Sequence, residues 1–463
     1  MKKKVLILIC SALAGLTAFA GNELNTVELT KAEQQLVQNN NDFAFRLFRE
    51  ARGAENKVLS PLSVTYALGL INNGATGDTQ KEINMLLGAN GDGLDAETIN
   101  SFCRKMLDAS NLLDKNTQVI VANNIYFNNG SYGGKIKSKF MQAAKKYYDA
   151  EPQMRDLYAP ETLDEINRWV SDRTKGMITD LLSKEDLQPN LVSFLLNAIY
   201  FKGAWTKPFD KNLTETSFFD GQKATATMMT QKNEFLYTEN DLYQAVQLPY
   251  GNGSYLMTVF LPREDKTLDD LVAAISGKNW NADDYQRYMV TLKLPRIITD
   301  TDQDLQEAMK SLGVYNAFLD TKDALGFLEF CFMGDDESKS DPVWISLMKQ
   351  SAKLRLDEVG TEAAAATATE VTGKSAPSTK QAIFKADRPF LYTISECTTG
   401  AIFFLGQYMG DGAAQSGENN GINEIEKMRN VENEKVYDLL GRRVNSQLKK
   451  GVYISNGRAF VIK

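Results

Sequence analysis

Leu191 to Phe201 reads LVSFLLNAIYF, a near-continuous apolar run around the single amide of Asn197. Successive side chains on a strand point to opposite faces. Apolar residues at almost every position therefore require cover on both faces, as in a buried central strand. A chain containing such a strand has to place structure on both sides of a sheet.

The residues around it supply that structure. Glu33 to Ala51 carries apolar residues at helical spacing, including Leu36, Phe43, Phe45 and Leu47. Ser60-Pro61 opens a second apolar helix running through Leu70, with Ser60 suited to capping and Pro61 to the first turn. Thr117 to Phe127 is rich in β-formers, and Ile166 to Leu182 reads as a helix containing Trp169. Val246–Pro249 and Ser254–Leu261 flank Tyr250-Gly-Asn-Gly253, a hairpin signal, and Ala401–Gly406 reads as a short buried strand. The mixture predicts an α+β domain around a large sheet. At Gly410 the composition shifts to Gly, Asn, Ser, Gln and Asp without periodicity, which reads as a linker. Beyond it, segments at Val436–Arg442, Leu448–Gly457 and Phe460–Lys463 read as three short strands separated by glycine turns.

Composition excludes more than it selects. The 463 residues are 43% hydrophobic and 24% charged, with a net charge of −7, ordinary for a globular protein and unpromising for nucleic acid. The chain has no histidine. Ser-His-Asp and Cys-His chemistry lack their usual base, and HExxH zinc sites are impossible. There is no phosphate-binding GxxxxGK[ST] loop and no dinucleotide fingerprint. The carboxylate pairs Asp283/Asp284 and Asp335/Asp336 read as solvated loop charges. No enzyme, metal site or cofactor is expected. Lys2–Lys4, the apolar run Val5–Leu16 and Ala18-Phe19-Ala20 have the form of a secretory signal peptide cut after Ala20. The apolar run is shorter than the roughly 20 residues a membrane span needs. The remaining cysteines, Cys103, Cys331 and Cys397, are odd in number and widely spaced, and are expected as buried thiols.

Glu358 to Ser375 reads EVGTEAAAATATEVTGKS. By composition it fits a flexible linker or a short helix. Read as a strand, it has one small, uncharged face, Thr361, Ala363, Ala365, Thr367, Thr369 and Val371. The other face, Glu362, Ala364, Ala366, Ala368 and Glu370, keeps the carboxylates. Such a pattern suits a segment exposed in one state and buried in a sheet in another.

Motifs spread from about residue 30 to 410 resemble the serpins. They include Val58-Leu-Ser60-Pro61-Leu-Ser63, Gly74-Ala-Thr-Gly77, Ala122-Asn-Asn124-Ile-Tyr126-Phe127 and Ile166-Asn167-Arg-Trp169-Val170. The strongest is Leu196-Asn197-Ala-Ile-Tyr200-Phe201-Lys202-Gly203-Ala-Trp205, followed by Pro208-Phe209. Leu248-Pro249-Tyr250, Leu294-Pro295-Arg296, Phe384-Lys-Ala-Asp-Arg388-Pro389-Phe390 and Phe404-Leu405-Gly406 follow in order. The resemblance implies a serpin fold: helices around a large mixed β-sheet, further sheets and an exposed reactive-centre loop. It implies a serpin domain over 21–410, after a signal peptide at 1–20 and before a linker at 411–425.

In this family a protease attacks the loop as substrate and forms an acyl-enzyme. The cleaved loop then inserts into the main sheet and traps the protease. Glu358, Gly360, Thr361, Glu362 and Ala363, Ala364, Ala365 and Ala366 would form the hinge. Counting Glu358 as position seventeen makes Lys374 position one, with the reactive bond at Lys374–Ser375. A loop one residue longer or shorter would move the specificity position to Ser375 or Gly373. Lysine there resembles a substrate of trypsin-like proteases, whose pocket carries an acid. Ser60, Ser63 and Asn197 match a polar cluster where the sheet parts. Trp205 matches the tryptophan beneath the loop's entry, and Arg296 and Glu358 match a pair holding that entry. The family's usual histidine in the polar cluster is here Gln350; an amide both donates and accepts, so the network is expected to persist without a pH-sensitive member. Asp320 to Trp344 matches the family poorly.

Residues 426–463, with VYDLLGRRV and LKKGVYISNG, resemble the sorting domain of bacterial type IX secretion. The expected protein is thus a secreted, monomeric bacterial inhibitor of a trypsin-like serine protease. Two alternatives are a cross-class inhibitor of cysteine proteases that cut after lysine and a non-inhibitory surface binding protein. No strong basic stripe marks a polyanion activator.

Overall fold

A computed structural model describes residues 25–411, apart from 90–93, 111, 130–133, 188–189, 222, 283, 321–325, 334–341 and 362–379, together with strands at 436–438, 451–455 and 458–462. The leader (Lys2–Ala20), Asp283, the acidic run Asp335–Glu337, the hinge positions Glu362–Ala366, the Lys374–Ser375 bond and most of the linker lie outside the described residues. The residues through Asp411 form one unit and those from Gly412 another.

The Leu191–Phe201 run becomes the strand Ser193–Ala204, and it is covered on both faces. Phe194, Leu196 and Ala198 pack with Ile166 and Val170 of the helix Pro160–Arg173. Leu195, Ile199 and Phe201 face the main core. The strand lies in a six-stranded mixed sheet, ordered Ile297–Asp304, Leu347–Leu356, Gly360–Thr361, Ser193–Ala204, Thr117–Asn128 and Gln153–Arg155. Leu347–Lys353 also pairs directly with Phe194–Tyr200, in parallel.

A second sheet of nine strands runs from Lys57–Leu59 through Ile402–Tyr408, Phe390–Glu396, Tyr255–Pro262, Tyr243–Tyr250, Ala224–Glu239 and Gln286–Pro295 to Gln381–Lys385. Glu215–Phe219 pairs antiparallel with Ala224–Glu239. Between the sheets lies the helix Pro61–Asn72, every residue of which is buried. The helix Lys31–Ala51 begins with a capping box, Thr30 accepting from the Glu33 amide while Glu33 accepts from that of Thr30.

Two elements differ from the sequence reading. The helix expected over Ile166–Leu182 spans Pro160–Arg173 instead. It stops because Thr174 Oγ1 turns back to Val170 O at 2.8 Å and takes the Ile178 amide at 3.1 Å, while Lys175 and Gly176 adopt φ of 56° and 79°. The poorly matching 320–344 stretch contributes Cys331–Met333, which pairs antiparallel with Gly134–Ile136. It also delivers Phe330 to the core, with ring centroids 5.4 Å from Phe127, 4.7 Å from Phe140 and 4.2 Å from Phe327. A Cβ on Gly74 would meet the Phe330 ring at 1.6 Å, so the glycine makes room for it.

The unit from Gly412 contains an antiparallel meander of Val436–Asp438, Gly451–Ser455 and Arg458–Ile462. Cys103, Cys331 and Cys397 are free thiols, and Cys103 and Cys331 are buried. No helix among the described residues is long and apolar enough to cross a membrane.

Because Phe330 joins this added stretch to the core, Phe330→Ala is expected to destabilise the protein by about 3–5 kcal/mol. Denaturant unfolding at fixed pH measures it. A change within the error of the measurement would show that the stretch is only an appendage.

Candidate functional site

The parallel seam between the 193–204 and 347–356 strands is bridged by amides. Asn197 and Gln350 are cross-strand partners, and Asn123 and Gln303 continue the row on either side. Beneath the seam, the start of the 61–72 helix presents Ser60 and Ser63. Gln350 Nε2 lies 2.6 Å from Asn197 Oδ1, 3.0 Å from Ser60 O and 3.1 Å from Ser63 Oγ. Gln350 Oε1 accepts the Ser60 amide at 3.1 Å. Ser63 Oγ lies 2.7 Å from Asn197 Oδ1, while Asn197 Nδ2 donates to Ser63 O at 3.1 Å and to Asn123 Oδ1. Ser60, Ser63, Asn197 and Gln350 are all buried. The amide at 350 both donates and accepts, and none of these four side chains titrates near neutral pH.

At one end the seam is already parted. Gly360 and Thr361 pair antiparallel with Ala204 and Gly203, and Thr361 also pairs with Leu356. Gly360 has φ 152°, and a Cβ there would lie 2.1 Å from Gly203 O, so only glycine fits. A tight turn leads in: Asp357 Oδ1 accepts the amides of Val359 and Gly360 at 2.8 and 3.2 Å. Trp205 fastens the turn from below, donating its backbone amide to Val359 O at 2.8 Å and its indole Nε1–H to Asp357 O at 3.0 Å.

Glu358 is 1% exposed, yet it carries a carboxylate. Its Oε1 accepts from Arg296 Nη2 at 2.6 Å, Arg296 Nε at 3.1 Å and Thr214 Oγ1 at 2.6 Å. Burial alone would raise the carboxyl, but the Arg296 and Thr214 bonds outweigh it and hold it below the usual range. Arg296 is the single residue between Gln286–Pro295 and Ile297–Asp304, so it stands where the two sheets meet.

The structure thus gathers Ser60, Ser63, Asn197 and Gln350 into one cluster. It gathers Trp205, Arg296, Glu358, Gly360 and Thr361 into another at the open end. Sequence reasoning missed Thr214, Asn123 and Tyr250 as members of these clusters. No local pattern marks Thr214; Asn123 and Tyr250 stood within quoted motifs, but nothing there assigned them a contact.

The family profile described as "Serpin (serine protease inhibitor)" matches residues 38–410. The chain belongs to the serpin family, whose members are generally serine protease inhibitors rather than enzymes. It is 30% identical to chicken (Gallus gallus) neuroserpin over 380 residues, covering 79% of this chain and 88% of that one. It is 31% identical to mouse (Mus musculus) glia-derived nexin over 395 residues, covering 81% and 92%. The fold resembles that of native tengpin, a thermophilic serpin, with a TM-score of 0.72 at 24% identity over 84% of this chain and 97% of that one. It also resembles native protease nexin-1 crystallised with heparin, with a TM-score of 0.69 at 26% identity over 82% and 98%.

Asn197→Ala strips bonds from three buried partners at once, with an expected loss of about 1–3 kcal/mol. Denaturant unfolding of the intact protein reads this, and no loss would mean the cluster is not holding the seam.

A lowered folded-state pKa at Glu358 adds stability above the unfolded carboxyl value of about 4.3, lost as pH falls through the folded value. Arg296 is the charged partner facing it. The melting-temperature advantage of the wild type over Glu358→Gln is therefore expected at pH 7 and expected to shrink steadily below about pH 4. An advantage independent of pH would contradict the assignment.

Proposed function

We propose that the chain is a secreted bacterial serpin that traps trypsin-like serine endopeptidases through the Lys374–Ser375 bond. The observation that carries this reading is the Gly360–Thr361 pair, hydrogen-bonded between the ends of the two seam strands. The residues that lead into the loop thus already occupy a strand position. The alternating face beginning at Thr361 (Ala363, Ala365, Thr367, Thr369, Val371) holds no charge. Burying an unpaired charge would cost several kcal/mol, so this face favours insertion over a purely binding role.

In the reaction, the protease serine Oγ attacks the Lys374 carbonyl. The amide bond to Ser375 breaks, and the new amine leaves with a proton. The ester keeps the protease attached to Lys374, and water attack on it would release active protease and a Lys374 carboxylate. Insertion of the freed strand between 193–204 and 347–356 competes with that hydrolysis. In this reading the Ser60–Ser63–Asn197–Gln350 cluster is the latch that parts, and Trp205, Arg296 and Glu358 hold the point of entry. The Lys2–Ala20 segment supports export, and residues 426–463 support a type IX sorting role.

Incubation with trypsin is expected to give a covalent complex that survives a denaturing gel, and Lys374→Ala is expected to abolish it. Only cleaved loop at every ratio would overturn the inhibitor reading, and a complex with Lys374→Ala would move the bond elsewhere. Cleaving the loop with a protease that is not trapped should raise the melting temperature, since insertion relieves strain in the open sheet. An unchanged melting temperature would contradict the strain argument.

A further inference from the structure

Tyr250 ends the strand Tyr243–Tyr250 of the nine-stranded sheet, yet its side chain reaches the entry point of the six-stranded one. Its hydroxyl lies 2.9 Å from Thr361 Oγ1, and both residues are fully buried. The ring is wedged in place. It stacks on Trp205 at 4.3 Å and 17°, meets the edge of Phe201 at 5.0 Å, and forms an antiparallel bridge with Trp205 through its backbone. Apart from Thr361, the hydroxyl's hydrogen-bond partner among the described residues is the Met257 sulfur, at 4.0 Å. A buried hydroxyl with a single good partner holds that partner firmly, because letting go leaves both oxygens unsatisfied.

This contact falls on the first residue of the small-sided face, the one next to the junction of the parted strands. A new strand in a sheet is hardest to start and easier to extend, since the first residues are ordered before further bonds reward them. A hinge already seated by Tyr250 removes that starting step.

We propose that Tyr250 is a positioning residue for loop insertion. By holding Thr361 it keeps the hinge seated as the preformed start of the inserted strand, and so favours trapping over hydrolysis of the acyl-enzyme. This rests on the inhibitor reading above. It names a residue that acts through Thr361, with no contact to the protease.

The test uses the full chain, trypsin as probe, and three variants: Tyr250→Phe, Thr361→Val and the double substitution. Tyr250→Phe keeps the ring stacked on Trp205, and both changes preserve shape. Each single variant is expected to raise the number of inhibitor molecules consumed per trypsin trapped by roughly fivefold, the weight of one neutral hydrogen bond. The double variant should be no worse than either single one, because either change alone already removes the bond the two oxygens share. Hydrogen exchange in a peptide spanning 357–361 should quicken in Tyr250→Phe relative to wild type. An unchanged stoichiometry in both single variants overturns the proposal. So does faster complex formation at unchanged stoichiometry, which would make the seated hinge a brake. Full additivity in the double variant would mean two separate structural losses and overturns it as well. If wild type forms no complex at all, the inhibitor reading fails; unchanged exchange at 357–361 would then separately dismiss the Tyr250 contact.

Discussion

The structure depends on a parallel seam that is paired along most of its length and open at one end. Leu347–Lys353 runs beside Phe194–Tyr200, and past that point Gly360–Thr361 intervenes. A sheet normally keeps its central strands bonded to each other. Here the paired centre is also tied by a small set of amides and hydroxyls that can exchange partners without exposing charge. Gln350, Asn197, Ser60 and Ser63 bond one another in the closed state, with Asn123 as a further partner of Asn197. They make the closed sheet a definite structure without making the seam permanent.

The open end is governed by different forces. Glu358 is buried with its charge, which is tolerable only because Arg296 and Thr214 converge on one oxygen. Gly360 fits only without a side chain. Trp205 holds the preceding turn by its backbone and its indole. Charge pairing at Glu358, backbone shape at Gly360 and the Trp205 hydrogen bonds to Asp357 and Val359 together aim residues 360 and 361 into the gap.

Much of this was legible in the sequence. Leu191–Phe201 announced a strand covered on both faces because its apolar residues ignore the alternation of a half-exposed strand. The ordered motifs brought the fold and most of the two clusters with them. The end of the helix at Arg173 was not legible. Ile178, Leu181 and Leu182 keep an apolar rhythm and are buried with Ile166 and Val170, although the helix has already ended. The stretch from Asp320 to Trp344 gave no pattern because its strand is only three residues long and finds its partner far away, at Gly134–Ile136. Thr214 and Tyr250 could not be found either, since each meets its partner across more than a hundred residues and nothing beside them in the chain requires it.

The central claim is that the seam must part for the protein to act. A disulfide across it tests this most directly. Ala198 and Ser351 are small, register-paired residues on the two seam strands, and paired strands bring Cα atoms to a distance a disulfide can span. The double variant Ala198→Cys/Ser351→Cys, once oxidised, should be cut by trypsin as a plain substrate and leave no covalent complex. Reduction should restore the complex. An oxidised, cross-linked protein that still traps trypsin as well as the reduced form would contradict the account.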